Sequence, residues 1–315
     1  MRTLGPNAKI PDNARGAAVA LGNFDGVHLG HQAVIASARG IAQARGLALG
    51  AAAFEPHTRR YFQPDAPPFR LQTPRQRAFA LGQCGVAEVF EIAFDAKLAQ
   101  LSDAEFATGV LCDCLGIAHV SVGANFRFGR GRMGDVETLT RLGAGLGFTV
   151  EAVAPVQHEG RIVSSTDVRG AIEAGDVRQA ELLLTRPWAV EGVVQRGFVR
   201  GRSFGFPTAN LSLGDYVRPR LGIYAVCVDT GDGIMLPGVA SVGLNPTVGA
   251  LAEPVLEAHL LDFEGDLYGK TIEIEFAAFL RDEAKFDSHD LLKAQMRQDV
   301  VDARTALAKA ADARA

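Results

Sequence analysis

The sequence predicts an α/β domain followed by a β domain: a doubly wound parallel sheet, then a small antiparallel β-barrel or sandwich closed by a C-terminal helix. Three observations predict it. Apolar runs of strand type alternate with helical periodicity over roughly the first 150 residues, the pattern of parallel strands with helices on both faces. Beyond Leu184 several short strand-like segments follow one another without helices between them, which is antiparallel architecture. The chain has 315 residues, and single cores stop growing beyond about 250–300 residues, so two domains are expected.

The elements follow in order. Residues 17–21 (AAVAL) read as a strand, and Val34, Ala38, Ile41 and Ala42 recur at helical steps until Gly46 supplies a stop. Residues 47–54 are a second strand, 71–83 a helix and 85–92 a third strand. Ser102 and Glu105 have capping-box spacing at the start of a helix running to Leu115. Strands at 119–123 and 148–153 flank a helix at 135–146. In the second half, 188–196, 222–229, 235–243, 255–262 and 271–279 read as strands and 287–310 as one long helix. Pro187 stops the helix before it, so the boundary is placed between domains 1–184 and 185–310.

Composition narrows the function. The 32 basic and 36 acidic side chains leave a net charge of −4, a balance that disfavours a general nucleic-acid binder. No apolar run approaches the ~20 residues of a membrane helix, and the N-terminus lacks the apolar core of a secretory signal. Cys84, Cys112, Cys114 and Cys227 are too few for a disulfide scaffold, and no neighbouring ligands complete a zinc site. A cytoplasmic protein acting on small molecules is expected, without nucleic-acid or membrane partners.

Two regions carry chemistry. In LGNFDGVHLGHQAVI (21–35) a strand runs through a glycine-rich turn into a helix, whose first N–H groups favour an anion. Gly22, Gly26 and Gly30 permit close backbone approach, and His28 and His31 project from one face of the first turn. In VSSTDVRG (163–170), Ser164, Ser165 and Thr166 open a helix and Arg169 follows one turn later; an ordinary cap with a solvated arginine is an equal reading. Asn125, Arg127, Arg130 and Arg132 form a weaker candidate anion loop. In QRGFVRGRSFGFPTANL (195–211), Gly197, Gly201 and Gly205 suit a close-approach loop. Thr208 and Asn210 offer oxygens to a hard cation, although PTAN alone reads as a turn. Alternation in LEAHLLDF (256–263) puts Glu257 and His259 on one strand face. Arg281, Glu283 and Lys285 read as a surface charge run.

GNFDGVHLGH (22–31) with SSTDVR (164–169) resembles the HxGH nucleotidyltransferases. FEPH (54–57), SVGANFRFG (121–129), GFPTAN (205–210) and the RPW-to-EGVV junction narrow the resemblance to the bacterial riboflavin kinase/FMN adenylyltransferases. It covers residues 17–305, with Thr58 in place of a usual proline and Asn125 in place of a frequent aspartate. The resemblance implies two ATP-dependent steps: phosphorylation of riboflavin to FMN in the C-terminal domain, and adenylyl transfer to FMN, giving FAD and pyrophosphate, in the N-terminal one. It implies Mg²⁺ as cofactor, held at Thr208 and Asn210, and Glu257 as the base for riboflavin's 5′-hydroxyl. His28 and His31 would be catalytic in adenylyl transfer. Gly22, Asn23, Gly26, Asn125, Ser165, Thr166, Arg169, Gly197, Gly201 and Gly205 would contact ATP or its phosphates, and Asp25 and Phe286 the flavin. Two alternatives stay open at this level. One is another HxGH enzyme such as an aminoacyl-tRNA synthetase, although SSTDVR lacks that class's lysine. The other is a flavin-nucleotide sensor or carrier.

Overall fold

The computed structural model describes residues 1–5, 8–195, 206–244 and 254–313. The segment carrying Gly197, Gly201 and Gly205 lies outside them. Two compact units emerge: residues 1–67 with 74–164, and residues 68–73 with 165–315.

The first unit is built on six strands, β1 (Arg2–Leu4), β2 (Ala18–Leu21), β3 (Leu49–Glu55), β4 (Glu88–Ala93), β5 (His119–Gly123) and β6 (Thr149–Val153). They lie in the order β1-β4-β3-β2-β5-β6, and every pairing is parallel. Strand alternation splits the core into two layers. Ala18 and Ala20 pack with Val34, Ile35, Ala38 and Ala42 of the helix Leu29–Arg45, whereas Val19 and Leu21 pack with Phe106, Leu111 and Val120 on the other face. That helix ends at Gly46, whose φ of 64° suits a residue without Cβ.

Three features depart from the sequence reading. Strand β1 is an addition, and a short hairpin of β7 (Gln157–His158) and β8 (Arg161–Ile162) precedes residue 163. The capping box of Ser102 and Glu105 forms, but after Glu105 the helix widens into a π-helix, Phe106–Cys114. The Arg15 guanidinium donates to the carbonyls of Cys112, Asp113 and Cys114 at its end, a partner 97 or more residues distant that no local pattern encodes. All four cysteines are free thiols.

The second unit opens with the helices Ser165–Ala174 and Val177–Leu184. Six strands follow: β9 (Trp188–Val193), β10 (Ala209–Ser212), β11 (Gly222–Asp229), β12 (Met235–Leu244), β13 (Pro254–Leu260) and β14 (Thr271–Arg281). Their order is β10-β13-β12-β11-β14-β9, all antiparallel. A 2.9 Å bond from the Gln195 N–H to the Asn210 carbonyl brings the two ends of the sheet together as a near-barrel. Strand β10 begins inside the PTAN string, where proline and asparagine had suggested a turn; pairing with β13 overrides that local preference. Trp188, Tyr224 and Phe276 fill the core, with ring centroids 4.8–5.0 Å apart along the series. Residues 68–73 are stitched into this unit: Phe69 and Arg70 donate backbone bonds to Asp215, and the Trp188 indole donates to the Leu71 carbonyl at 2.9 Å.

Candidate active sites

Strand β2 has β3 on one side and β5 on the other, so it marks the point where the winding of the sheet reverses and where ligands of such sheets bind. The chain leaves it through a strained turn. Phe24 and Val27 adopt φ of 51° and 46°, conformations rare for residues with bulky or branched side chains. His28 then caps the helix. Its Nδ1 accepts from the Gly30 N–H at 3.1 Å and the His31 N–H at 3.4 Å, so its ring proton resides on Nε2. The His31 ring stacks on it. A Cβ at Gly30 would lie 3.1 Å from the His28 ring and 3.3 Å from the Val163 carbonyl, so any side chain there would have to displace them by a few tenths of an ångström.

Gly22 and Asn23 open onto a cavity of about 790 Å³. Phe54, Phe62, Phe94, Phe106, Phe126 and Phe128 give it an aromatic lining; Arg59, Arg127 and Arg132 supply positive charge. Asn125 lines it as well, and Asp25 does not: that carboxylate is 3% exposed. Thr58, the departure from the usual proline, exchanges hydrogen bonds with the Asn23 amide at 3.2–3.3 Å. Sequence reading had singled out neither Phe62 nor Phe94. They converge from different loops, and only the parallel pairing of β3 with β4 brings Phe94 beside Phe54, 5.6 Å between rings.

The Ser165–Arg169 segment is grouped with the second unit. Ser165 starts its helix, Thr166 is exposed, and the Arg169 guanidinium donates to the Phe69 carbonyl at 2.6 Å while resting 5.5 Å from the Phe69 ring.

In the barrel, a cavity of about 230 Å³ is lined by Thr208, just before β10, by Glu257 and His259 of β13, and by Phe286, Leu292 and Met296 at the C-terminal helix. Asn210 stands directly across the ladder from Glu257. Its amide Nδ2 points at the Thr208 hydroxyl, 3.3 Å away. Burial raises the Glu257 carboxyl above the usual glutamate range, and a hydrogen bond from the Thr208 side chain offsets part of that shift. The Thr208 hydroxyl and the Glu257 carboxylate are hard oxygens of the kind Mg²⁺ takes, and Asn210 lies beside them with its amide nitrogen toward Thr208. Arg281 corrects the surface-charge reading. It makes a bidentate pair with Asp299, both bonds 2.7 Å, which ties β14 to the C-terminal helix and walls the cavity. Asp299 is 3% exposed, and the helix that buries this pair is invisible to local charge spacing. Glu283 also lines the cavity, whereas Lys285 is exposed.

A parallel sheet of nucleotidyltransferase type and a near-barrel of kinase type thus stand in one chain. The family profile for FAD synthetase matches residues 10–167, and that for riboflavin kinase matches residues 184–307. A protein of Pseudomonas fluorescens described as bifunctional riboflavin kinase/FMN adenylyltransferase is 44% identical, over 94% of this chain and 95% of its own. Its Escherichia coli K12 counterpart is 39% identical over 92% of each. A solved structure from Streptococcus pneumoniae, described as a macrolide-efflux protein, superposes with a TM-score of 0.82 at 31% identity, covering 92% of this chain and 94% of that one. That description belongs to that protein; among the described residues here, no helix is long and apolar enough to cross a membrane. The chain belongs to the bifunctional riboflavin kinase/FMN adenylyltransferase family.

Proposed function

We propose that the chain makes FAD in two steps, with the residues above in the following roles. The barrel phosphorylates riboflavin. Glu257 accepts the proton of the 5′-hydroxyl, a task favoured by a carboxyl whose proton affinity burial has raised. Thr208 and Asn210 would hold Mg²⁺, which would supply charge neutralisation to the transferred phosphoryl group. Phe286 and the helix residues Leu292 and Met296 give the flavin ring an apolar wall. The glycines at 197, 201 and 205 are assigned to the nucleotide by the GFPTAN-containing motif. The observation that carries the kinase reading is the convergence of Thr208, Glu257 and Phe286 on one cavity.

The parallel-sheet unit transfers the adenylyl group of ATP to FMN. Its nucleophile is already an anionic phosphate, so no strong base is required. Positioning and charge stabilisation carry the step. The His28 Nε2–H and the stacked His31 ring stabilise charge at the α-phosphorus, with the first N–H groups of the helix Leu29–Arg45. The aromatic cavity beside Asn23 takes the isoalloxazine ring by stacking, and Arg59, Arg127 and Arg132 favour the flavin's phosphate. Gly22, Asn23, Gly26 and Asn125 are assigned to ATP, and Ser165, Thr166 and Arg169 to the pyrophosphate leaving group, by the two sequence signatures. Asp25 is assigned to the flavin side on the same basis. The setting is the cytoplasm.

Purified protein incubated with riboflavin, ATP and Mg²⁺, with flavins resolved by chromatography, tests the reading. FMN should appear first and FAD after it. Conversion of neither riboflavin nor FMN would leave a binding protein.

A further inference from the structure

His259 lies outside the roles above, yet it faces the barrel cavity beside Glu257, two residues along β13. The registered ladder between β10 and β13 ends at Ala209 with Ala258, so the next positions, Thr208 and His259, lie at its open end. There the backbone cannot extend the pairing through Pro207, which has no N–H. The His259 side chain takes over. Its Nδ1 lies 2.9 Å from the Pro207 carbonyl, and a carbonyl only accepts, so Nδ1 carries the proton. The same ring meets Phe206 edge-on at 5.2 Å. One imidazole thus holds both residues that precede Thr208.

We propose that His259 is a positioning residue of the kinase site. It fixes the Phe206–Pro207 backbone so that the Thr208 hydroxyl stays at the mouth of the cavity, in reach of Glu257. The inference rests on the kinase reading above. It assigns His259 no contact with substrate.

The test uses the full chain. His259→Leu removes the donor, while His259→Asn keeps an N–H near the position of Nδ1. Riboflavin phosphorylation and adenylylation of supplied FMN are measured separately, and hydrogen exchange of the backbone over residues 206–212 is followed by mass spectrometry. Small displacements of positioning groups cost up to about 100-fold in rate. His259→Leu should therefore lower kcat/KM for riboflavin phosphorylation about 10- to 100-fold, speed exchange over 206–212, and leave adenylylation within twofold of wild type. His259→Asn should restore most of the rate and the protection. A phosphorylation rate for His259→Leu within threefold of wild type overturns the proposal. So does an Asn variant as impaired as Leu, or an equal loss of adenylylation. Failure of the wild-type chain to phosphorylate riboflavin would instead sink the kinase reading itself.

Discussion

The imidazole rings of His28 and His31 lie 3.7 Å apart, centroid to centroid, and within 21° of parallel. In the proposed reading the first of them does two jobs: Nδ1 caps the helix by accepting from the Gly30 and His31 N–H groups, and the Nε2 proton acts in adenylyl transfer. Those jobs can be separated. Asparagine is among the best N-cap residues, whereas alanine costs about 1 kcal/mol at such a position. His28→Asn should keep the helix start and His28→Ala should loosen it, and both should lower FAD formation by about 10²–10³-fold. Conversion of riboflavin to FMN should continue in both. An Asn variant that makes FAD at the wild-type rate would remove the imidazole from the chemistry.

Glu257→Gln retains size and polarity but cannot take up a proton. Riboflavin phosphorylation should fall about 10²–10⁴-fold, with little change in riboflavin binding. Because burial raises this carboxyl, wild-type phosphorylation should decline as pH falls through that raised value, and the residual rate of the Gln variant should lack that acid limb. Rate profiles of the two half-reactions from pH 5 to 8 check this. A Gln variant within threefold of wild type would leave Glu257 as a polar strand residue.

Arg77 is 1% exposed and donates to Glu91 at 3.0 Å and sits 3.2 Å from Glu55, at the ends of β3 and β4. Arg77→Met leaves both carboxylates facing an apolar side chain. Breaking a buried pair costs about 3–5 kcal/mol. The first unit should unfold earlier on heating and adenylylation should weaken, because Phe54 and His57 line the aromatic cavity next to this network. An unchanged unfolding midpoint would contradict the network's role.

His119 joins Thr149 at 2.8 Å and Ser121 at 3.0 Å, and Ser121 meets Ser37 of the helix Leu29–Arg45 at 2.9 Å. Burial, with Arg45 nearby, holds this imidazole below the usual histidine value. The sign follows from linkage: between the unfolded value near 6.5 and the lower folded one, the unfolded chain binds the extra proton. The contribution to stability is full above about pH 6.5 and is lost as pH falls through the folded value. His119→Gln keeps polar contacts without titrating. The advantage of wild type over it in thermal unfolding should shrink below pH 6.5, and a difference independent of pH would refute the assignment.

Much of this is legible in the sequence alone. Apolar runs located β2, β3, β5 and β11 because those strands are buried along most of their length. The spacing of His28 and His31 announced their shared face, and that of Glu257 and His259 did the same. Contacts between distant parts of the chain were not legible. Arg281 reads as solvated until Asp299, 18 residues on, covers it. Phe94 has no signal of a ligand cavity without the neighbouring β3. Strand β10 hides within a turn-rich string, since its pairing with β13 outweighs local propensity.

Residues 68–73 carry a further consequence. They are synthesised from within the first unit's stretch of chain, yet their partners Arg186 and Trp188 stand 114 and 117 positions from Gln72 and Leu71. The barrel is therefore not encoded by one continuous piece of the gene. On the ribosome, this six-residue thread must wait, already made, until the barrel's first strand emerges to claim it. In a chimera that joins this barrel to a relative's parallel-sheet unit, carrying the 68–73 codons with the barrel keeps the Gln72 side chain that accepts from Arg186, whereas the main-chain carbonyl that holds the Trp188 indole is one any residue supplies.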